Sequence, residues 1–380
     1  MIKEMNLTST DEWTDGYRGQ ARETVANVLK NQMEERVARH LAWAFNKGIT
    51  DRRNGSYVRK VLTELGTIIL SIPRTRIFSP KGVIAAYARR IRQIDELVLA
   101  SFLLGLSTRK VGIALLTLLG EKISPQTVSR VAQTLDHAVR AFHRRRITPV
   151  FKAVILDGII IKRKTGAGSM KRPVLVALGI RHDGKKEVID FRLAKSESGA
   201  EWRIFLTDLF NRGMTGFEVI CADGGLGLIS ILPEVYPDIP LQRCWAHKIR
   251  NILDKVPRKK QQSVKRGLTK IYTAQNLIEA QSYARRWARS WIDKYPKAVK
   301  CLQEDLEELL TCFQFSDTDF RKAIRTTNAI ERRFREVRRR TRPMGVFSNR
   351  TSMERILYAV FMYENINLGV YPVFVLTQNT

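Results

Sequence analysis

Three acidic residues in this sequence lie where a metal-dependent phosphoryl-transfer site would need them. Asp157 ends the apolar run 154–156, Asp223 ends the run 219–222, and Glu331 lies in an arginine-rich helical segment. A carboxylate at the end of a buried strand is costly unless a cation binds it. Three such groups can hold two divalent ions about 4 Å apart, the spacing that supports in-line displacement at phosphorus.

Glu331 lies beside a predicted buried stripe on a helix that we expect to span 319–342. Residues recur there at three- and four-residue intervals, the spacing of a buried helix face: Ala323, Thr327, Ile330, Phe334 and Val337. Glu331 is about one hundred degrees round from Ile330, at the edge of this stripe. From that position its carboxylate can reach a metal at the rim of a sheet.

The arginines that follow Glu331 are predicted to bind phosphates next to the metal ions. Three of them continue on its face at helical spacing: Arg335, Arg338 and Arg342. The alternative is a solvated helix with Glu–Arg pairs, each contributing only a few tenths of a kcal/mol. Positions 332–342 hold seven arginines and one further acid, Glu336, so most of these cations lack an intrahelical partner.

Basic residues outnumber acidic ones along the whole chain. Its 380 residues include 66 Lys and Arg against 37 Asp and Glu, a formal net charge of +29. This excess argues against an ordinary enzyme of small metabolites and indicates a polyanion, most simply DNA, because phosphate neutralisation releases counterions. An anionic membrane surface is the competing partner, but it requires basic residues gathered on an amphipathic helix or beside a lipid anchor.

No segment predicts a membrane span or a disulfide framework. The longest apolar candidate, 97–119, is interrupted by Arg109 and Lys110, so it falls short of the roughly 18 apolar residues of a span. The first residues lack the apolar core of a signal peptide. Four cysteines in a chain of this length lead us to expect a reducing cytoplasm.

The segment 95–148 has the punctuation of a helix-turn-helix. Ser107 can cap a helix over 108–119, and Ser124-Pro125 is a strong start signal for the next one. In such a motif the first turn of the later helix meets base edges in the major groove. The predicted DNA contacts are Arg109, Gln126, Thr127, Ser129 and Arg130. Three packed helices with no role in DNA binding would show the same spacing.

The pattern from residue 151 onward predicts an α/β core. Three strands, over 153–162, 174–181 and 187–194, are followed by alternating helices and strands. This order matches the ribonuclease-H-like fold, which places its first acid on the first strand and its second on the fourth. The chain length suggests two or three domains.

We therefore predict a ribonuclease-H-like catalytic core with a helical insertion, preceded by a mostly helical DNA-binding region. An N-terminal region, for DNA binding or oligomerisation, precedes the helix-turn-helix region, and the core is split by an all-helical insertion. The predicted boundaries are 1–94, 95–148, 149–256, 257–318 for the insertion, and 319–380 for the last part of the core.

The pair Cys244 and His247 does not predict a zinc site. Structural zinc normally needs four ligands in paired spacing, and Cys301 and Cys312 lie in an apolar helical region. We expect Cys244 to pack at a strand end and His247 to begin a helix near the active centre. Cys221 is expected in the core.

Together these motifs resemble the mutator-type insertion-sequence transposases, bacterial DDE recombinases with a ribonuclease-H-like core. The resemblance covers most of the chain. Besides the helix-turn-helix segment, it rests on the three acid motifs, the block after the third strand and a Cys-x-x-His block: 156–158, 199–202, 223–227, 242–251 and 326–331.

The resemblance implies a DNA transposase that cleaves and transfers strands at the ends of its own element. Asp157, Asp223 and Glu331 would hold Mg²⁺, for which Mn²⁺ can substitute. The Cys-x-x-His block carries over with no assigned role: Cys244, His247, Arg250 and Asn251. The implied partners are transposon-end and target DNA and at least a second copy of the chain, with no membrane, at the nucleoid of a bacterial cytoplasm.

Two other functions remain open at this stage. A structure-specific nuclease on the same ribonuclease-H-like fold would hydrolyse nucleic acid without joining strands. A catalytically inactive helix-turn-helix regulator would bind DNA equally with Mg²⁺ or a chelator and would never nick it.

Overall fold

The chain forms two compact units that meet between Thr134 and Leu135. This computed structural model describes residues 12–80, 83, 89–148, 150–165, 168–344, 347 and 349–367. Within those residues, no helix has the length and apolar character needed to cross a membrane.

The first unit opens with a long helix and a hairpin. Helix α1 spans Glu12–Asn46, and strands β1 (Arg53–Thr63) and β2 (Gly66–Thr75) pair antiparallel. Alternate residues of the hairpin face α1, as expected for a sheet with one covered side. The buried cluster between them consists of Met33, Val61, Ile68, Leu70 and Ile72.

Four short helices complete this unit. They are α2 (Arg92–Leu103), α3 (Thr108–Ala114), α4 (Leu116–Leu119) and α5 (Pro125–Gln133). The expected helix over 108–119 is thus divided at Leu115.

Both predicted N-caps of these helices are confirmed. The Ser107 hydroxyl accepts from the Lys110 amide at 3.4 Å, and the Ser124 hydroxyl accepts from the Thr127 amide at 3.1 Å. The helix that begins at Pro125 does not continue unbroken through 135–144, since α5 ends at Gln133 and a separate helix begins at Leu135. The Thr134 hydroxyl donates to the Val131 carbonyl at 2.7 Å, a local bond that competes with helical hydrogen bonding.

A five-stranded mixed sheet forms the centre of the second unit. Its strands are β3 (Phe151–Thr165), β4 (Gly168–Arg181), β5 (Lys186–Leu193), β6 (Val219–Ala222) and β7 (Leu241–Arg243). They lie in the order β5-β4-β3-β6-β7. β4 pairs antiparallel with both β3 and β5, whereas β6 runs parallel to β3 and β7 parallel to β6.

Helices cover both faces of this sheet. One face packs against α7 (Gly199–Asn211), α8 (Leu226–Ile229) and α9 (Leu232–Val235). The other face meets α6 (Leu135–Arg144) and α17 (Arg350–Asn367). Aromatic rings fill the second layer, where Phe191 of β5 lies 5.4 Å from Phe361 and 6.2 Å from Phe142 between ring centroids.

Helix α10 (Trp245–Leu253) leaves the sheet and joins a helical core of its own. The accessory helices packed with it are α11 (Arg258–Tyr272), α12 (Leu277–Trp291), α13 (Pro296–Glu304) and α14 (Leu306–Leu310), followed by a 3-10 turn at Thr311–Gln314. The indole of Trp245 donates to the Leu309 carbonyl at 2.8 Å, which fixes the accessory helices to the end of β7.

The expectation of one continuous helix over 319–342 is wrong. The chain forms α15 (Thr318–Ile324) and α16 (Asn328–Met344), with a break between them. At the break, the Arg325 carbonyl accepts from the Trp245 amide at 2.9 Å. A partner distant in sequence thus replaces the next helical hydrogen bond, and α16 starts afresh three residues later.

A buried carboxylate of β5 joins this strand to α6 and to the end of α7. Asp190 is 1 % exposed, its Oδ1 lies 2.7 Å from His143 Nδ1 of α6, and its Oδ2 accepts from Arg212 at the end of α7. Burial alone would raise the pKa of Asp190. The hydrogen bond and charge of His143, with the charge of Arg212, instead hold this pKa below its usual value.

Replacing Asp190 with Asn should destabilise the fold by about 3 kcal/mol, because it removes the buried counter-charge of Arg212 and leaves that guanidinium only the exposed Asp208. Urea unfolding followed by circular dichroism measures this difference. Asp208→Asn is the matched control, since Asp208 also pairs with Arg212 but is 54 % exposed, and it should cost less than about 1 kcal/mol. Equal losses in the two variants would contradict the role of Asp190.

Candidate active site

The parallel register of β3 and β6 brings two of the predicted acids together. Leu156 pairs with Ala222, so Asp157 and Asp223 follow at matching positions on neighbouring strands. Adjacent strands lie about 4.8 Å apart, which places the two backbones within reach of one small cation.

The end of β7 lies beside the end of β6. Ala222 pairs with Arg243 of β7, and the Ala222 carbonyl accepts from the Cys244 amide at 2.8 Å. The Arg243 guanidinium donates to the Gly224 carbonyl at 3.1 Å. Gly224 has a φ of +97°, and a Cβ there would collide with that guanidinium. The turn after Asp223 therefore requires glycine for two separate reasons.

The ionised form of the Asp157 carboxylate is unfavourable in the folded protein. It is 7 % exposed, and its Oδ1 accepts from the Gly158 amide at 2.7 Å. Burial, followed by the charges of Asp223 and Glu331, raises the pKa of Asp157 to about 7, against smaller opposing effects from that hydrogen bond and from His247. A bound cation would favour the ionised carboxylate.

Glu331 lies in the first turn of α16, where its amide donates to the Thr327 carbonyl at 3.1 Å. The predicted buried stripe is confirmed at Ile330, Phe334 and Val337. The Glu331 carboxylate is half-exposed and lies 3.5 Å from His247 Nε2, measured from Oε1.

Asp157 and Glu331 line the same cavity, which has a volume of about 560 Å³. Five cationic or ionisable nitrogen-bearing side chains also line it: His247, Arg250, Arg332, Arg335 and Arg338. The cavity therefore combines acids at the sheet end with a surround of positive charge, an arrangement suited to a phosphate whose oxygens contact cations on several sides.

The Cys-x-x-His block holds the start of α16. The Thr327 amide donates to Cys244 Sγ at 3.3 Å, and Thr327 Oγ1 lies 3.4 Å from His247 Nδ1. Interaction with Cys244, against burial, raises the pKa of His247 to about 9, and the charges of Asp157 and Asp223 contribute. This raised pKa favours the cationic form of His247, whose Nε2 lies 3.5 Å from Glu331 Oε1.

Sequence reasoning missed a fourth carboxylate, Glu197, in the loop between β5 and α7. A Cβ at Gly158 would come within 2.9 Å of Glu197 Oε1, and burial together with Asp223 raises the pKa of Glu197. Glu197 has polar neighbours on both sides and follows β5 by four residues. It carried no signal of strand end, periodicity or spacing that could have found it.

The side chains of Asp157, Asp223 and Glu331 offer the donor chemistry that suits divalent cations. Carboxylate oxygens are the ligands that Mg²⁺ prefers. In the part of the chain that the structure describes, no three acidic, histidine or cysteine side chains are grouped around a single ion position. The arrangement therefore consists of two adjacent acids with Glu331 across the cavity, held by His247.

Some of the other predicted site residues line the cavity with Asp157 and Glu331, and others lie outside it. Arg250, Arg335 and Arg338 line the cavity, whereas Arg342 and Asn251 are exposed and do not line it. The predicted contacts of the first unit are solvent-accessible on α3 and α5, with only Thr127 half-buried: Arg109, Gln126, Thr127, Ser129 and Arg130. Their contact with DNA stays a prediction.

A comparison with models of known protein families shows the family of this chain. The model of the family described as "Transposase, Mutator family" matches residues 2–368. The chain belongs to the Mutator family of transposases. This confirms the family resemblance inferred from the acid motifs and the Cys-x-x-His block.

Insertion-sequence transposases from distant bacteria are similar to this Mutator-family chain over most of its length. The transposase of ISRM5 from Rhizobium meliloti is 31 % identical over 351 residues, covering 91 % of this chain and 87 % of its own. That of IS905 from Lactococcus lactis is 33 % identical, covering 85 % and 81 %. That of IS256 in Tn4001 from Staphylococcus aureus is 30 % identical, covering 89 % and 87 %.

Asp157→Asn should stabilise the metal-free protein at pH 8 by about 2 kcal/mol, because it removes a buried charge beside like charges. The wild-type folded state keeps a proton on Asp157 up to about pH 7, whereas the unfolded chain releases it near pH 4. Wild-type stability therefore falls as pH rises between these values, and the gain in the variant should vanish at pH 4.

Thermal melts in EDTA at pH 4, 6 and 8 measure this difference. Asp293→Asn is the control, since Asp293 is exposed in the turn after α12 and should leave all three melting temperatures unchanged. A gain of Asp157→Asn that is independent of pH would contradict the electrostatic explanation.

Proposed function

We propose that this chain is the transposase of an insertion sequence, which cuts DNA at the ends of its element and joins them to target DNA. The proposal includes a ribonuclease-H-like core formed by the five-stranded sheet and interrupted by the accessory helices. Membership of the Mutator family supports it. The strand order β5-β4-β3-β6-β7, with three antiparallel strands followed by two parallel ones, also supports it.

One observation carries the proposal. Asp157 and Asp223 lie at matching positions on adjacent strands, and Glu331 faces Asp157 across a cavity surrounded by arginines. These acids are far apart in the sequence, so chance does not explain their convergence. Structural carboxylates are normally neutralised by a paired cation, whereas Asp157 is buried beside two like charges.

The residues that would hold Mg²⁺ are Asp157 and Asp223 together, with Glu331 completing the set from α16. When bound, divalent ions activate the attacking oxygen and stabilise the leaving oxygen of an in-line phosphoryl transfer. Mn²⁺ has similar ligand preferences and can replace Mg²⁺. His247 positions the Glu331 carboxylate, and Thr327 fixes the turn from which that carboxylate projects.

The arginines of the cavity would hold the scissile strand. Arg335 and Arg338 follow Glu331 along α16 at four- and three-residue steps and line the cavity with it. A guanidinium binds two phosphate oxygens at once, so these side chains can fix the backbone while the acids act on one phosphate. Arg250 contributes a further cation from α10.

Recognition of the element's ends is assigned to α5 in the first unit. Its first turn presents exposed polar side chains and is capped by Ser124, as in helices that read the major groove. Processing two ends of one element requires at least two active centres, so we propose a dimer or higher assembly on DNA, acting in the bacterial cytoplasm.

Asp157→Asn should reduce cleavage of an element end by about 10³-fold or more, because several kcal/mol of transition-state stabilisation depend on its charge. Binding to the same end should be unchanged. A labelled duplex incubated with Mg²⁺ reports cleavage on a denaturing gel, and fluorescence anisotropy reports binding. Asp293→Asn is the control for expression and folding. Cleavage that persists in Asp157→Asn would refute the proposed acid set.

A pre-cut element end separates a transposase from a nuclease on the same fold. With Mg²⁺ and a supercoiled target plasmid, the wild-type protein should join the 3′-hydroxyl of the pre-cut end to the plasmid. The product is a labelled plasmid detected on an agarose gel, and a 3′-deoxy end is the matched control that cannot react. Hydrolysis of the end with no joined product would identify a nuclease.

A further inference from the structure

A second cavity, of about 640 Å³, opens beside the acidic one. We call it the basic cleft. It is lined by the turn between β4 and β5, by the first residue of β5, by α15 and by the start of α16. Asn328 and Arg332 line both cavities, so the two are neighbours along the start of α16.

Positive charge dominates the lining of this cleft. One acidic residue, Asp183, lines the cleft. Five cationic residues also line it: Lys185, Lys186, Lys322, Arg332 and Arg333. Two of the cations are partly neutralised, since Lys322 lies 2.9 Å from Asp319 and Lys185 lies 3.9 Å from Asp183.

The other three cations have no such partner. Among the residues that the structure describes, no carboxylate lies within 4.0 Å of Lys186, Arg332 or Arg333. Burial, and then the charges of Arg333 and Arg332, lower the pKa of Lys186. These side chains therefore repel one another, and the charge of Glu364, which acts on Arg333 from beyond ion-pair distance, offsets only part of this repulsion.

Arg333 gives an independent indication of a ligand. It is 5 % exposed, and its terminal nitrogens donate to the carbonyls of Ala329 at 3.2 Å and Lys186 at 3.3 Å. Its Nε has no hydrogen-bond partner in the described part of the chain. A buried guanidinium without a counter-charge is costly, and an anion in the cleft that Arg333 lines would reduce this cost.

We propose that the basic cleft binds the phosphodiester backbone of the DNA that continues beyond the scissile phosphate. This inference rests on the proposed function, since the strand must lead out of the acidic cavity past Arg332. Among the described residues, no aromatic side chain lines the cleft, so these residues offer no platform for stacked bases. Its contacts are with phosphates, and binding there is independent of base sequence.

The salt dependence of DNA binding tests this assignment, because each phosphate contact contributes about 0.9 to the slope of log affinity against log salt on duplex DNA. The full-length chain is titrated onto a labelled duplex in EDTA at several KCl concentrations, with fluorescence anisotropy as the readout. Lys186→Gln should lower the slope by about one. Lys186→Gln with Arg332→Gln should lower it by about two and weaken binding about tenfold or more near 0.15 M salt.

A matched double variant, Arg289→Gln with Lys297→Gln, removes the same charge from exposed sites on α12 and α13 that line neither cavity. Its slope should equal that of the wild type. Arg333 is left intact because its burial makes a folding defect inseparable from a binding defect. Thermal melts show that the cleft variants are folded.

The outcomes separate this inference from the function on which it rests. If the cleft variants keep the wild-type slope while the wild-type protein binds and cleaves DNA, the basic cleft is not a DNA site and the proposed function stands. If the matched variant loses as much slope, the effect is general charge and the inference falls. If Asp157→Asn still cleaves, the active-site proposal fails whatever the slopes show.

Discussion

The active centre depends on a single constraint, the burial of a carboxylate beside two others. Parallel pairing of β3 with β6 brings Asp157, inside β3, beside Asp223, which follows the last residue of β6, and burial raises the pKa of Asp157 to about 7. Much of the neighbouring structure reduces the cost of this arrangement. The cationic His247 and the arginines of α16 surround the acids, and their positive charge favours the ionised state of these carboxylates.

The sequence predicts most local features of the structure because they depend on short-range chemistry. Ser107 and Ser124 cap helices through bonds to amides three residues ahead. The strands follow from continuous apolar runs, and Asp157 and Asp223 stand out because each ends such a run. The buried face of α16 follows from helical spacing, which is why Glu331 could be placed at its edge.

Features that depend on distant partners were beyond prediction. The break before α16 exists because Trp245, eighty residues earlier in the chain than Arg325, provides the replacing hydrogen bond. Glu197 reaches the site only because glycine at position 158 leaves room for it. The contacts of Asp190 with His143 and Arg212 likewise join residues from three separate elements. None of these relations leaves a periodic or compositional trace.

The arginines of α16 show how one helix serves two neighbouring cavities. Arg335 and Arg338 face the acidic cavity, Arg333 faces the basic cleft, and Arg332 lies where they meet. This division follows from the helical period, because residues three and four apart share a face while adjacent residues diverge by about one hundred degrees. A dense arginine run can therefore present positive charge around most of the helix while Ile330 and Val337 remain buried.

The hydrogen bond from the Trp245 amide to the Arg325 carbonyl links the accessory helices to the helix that carries Glu331. Trp245 also belongs to the core of the accessory helices, where its indole donates a hydrogen bond to the Leu309 carbonyl. One residue therefore contacts both that bundle and the break before α16, the helix that carries Glu331. A substitution that shifts the accessory helices is therefore expected to shift the start of α16 as well, and with it the position of the Glu331 carboxylate.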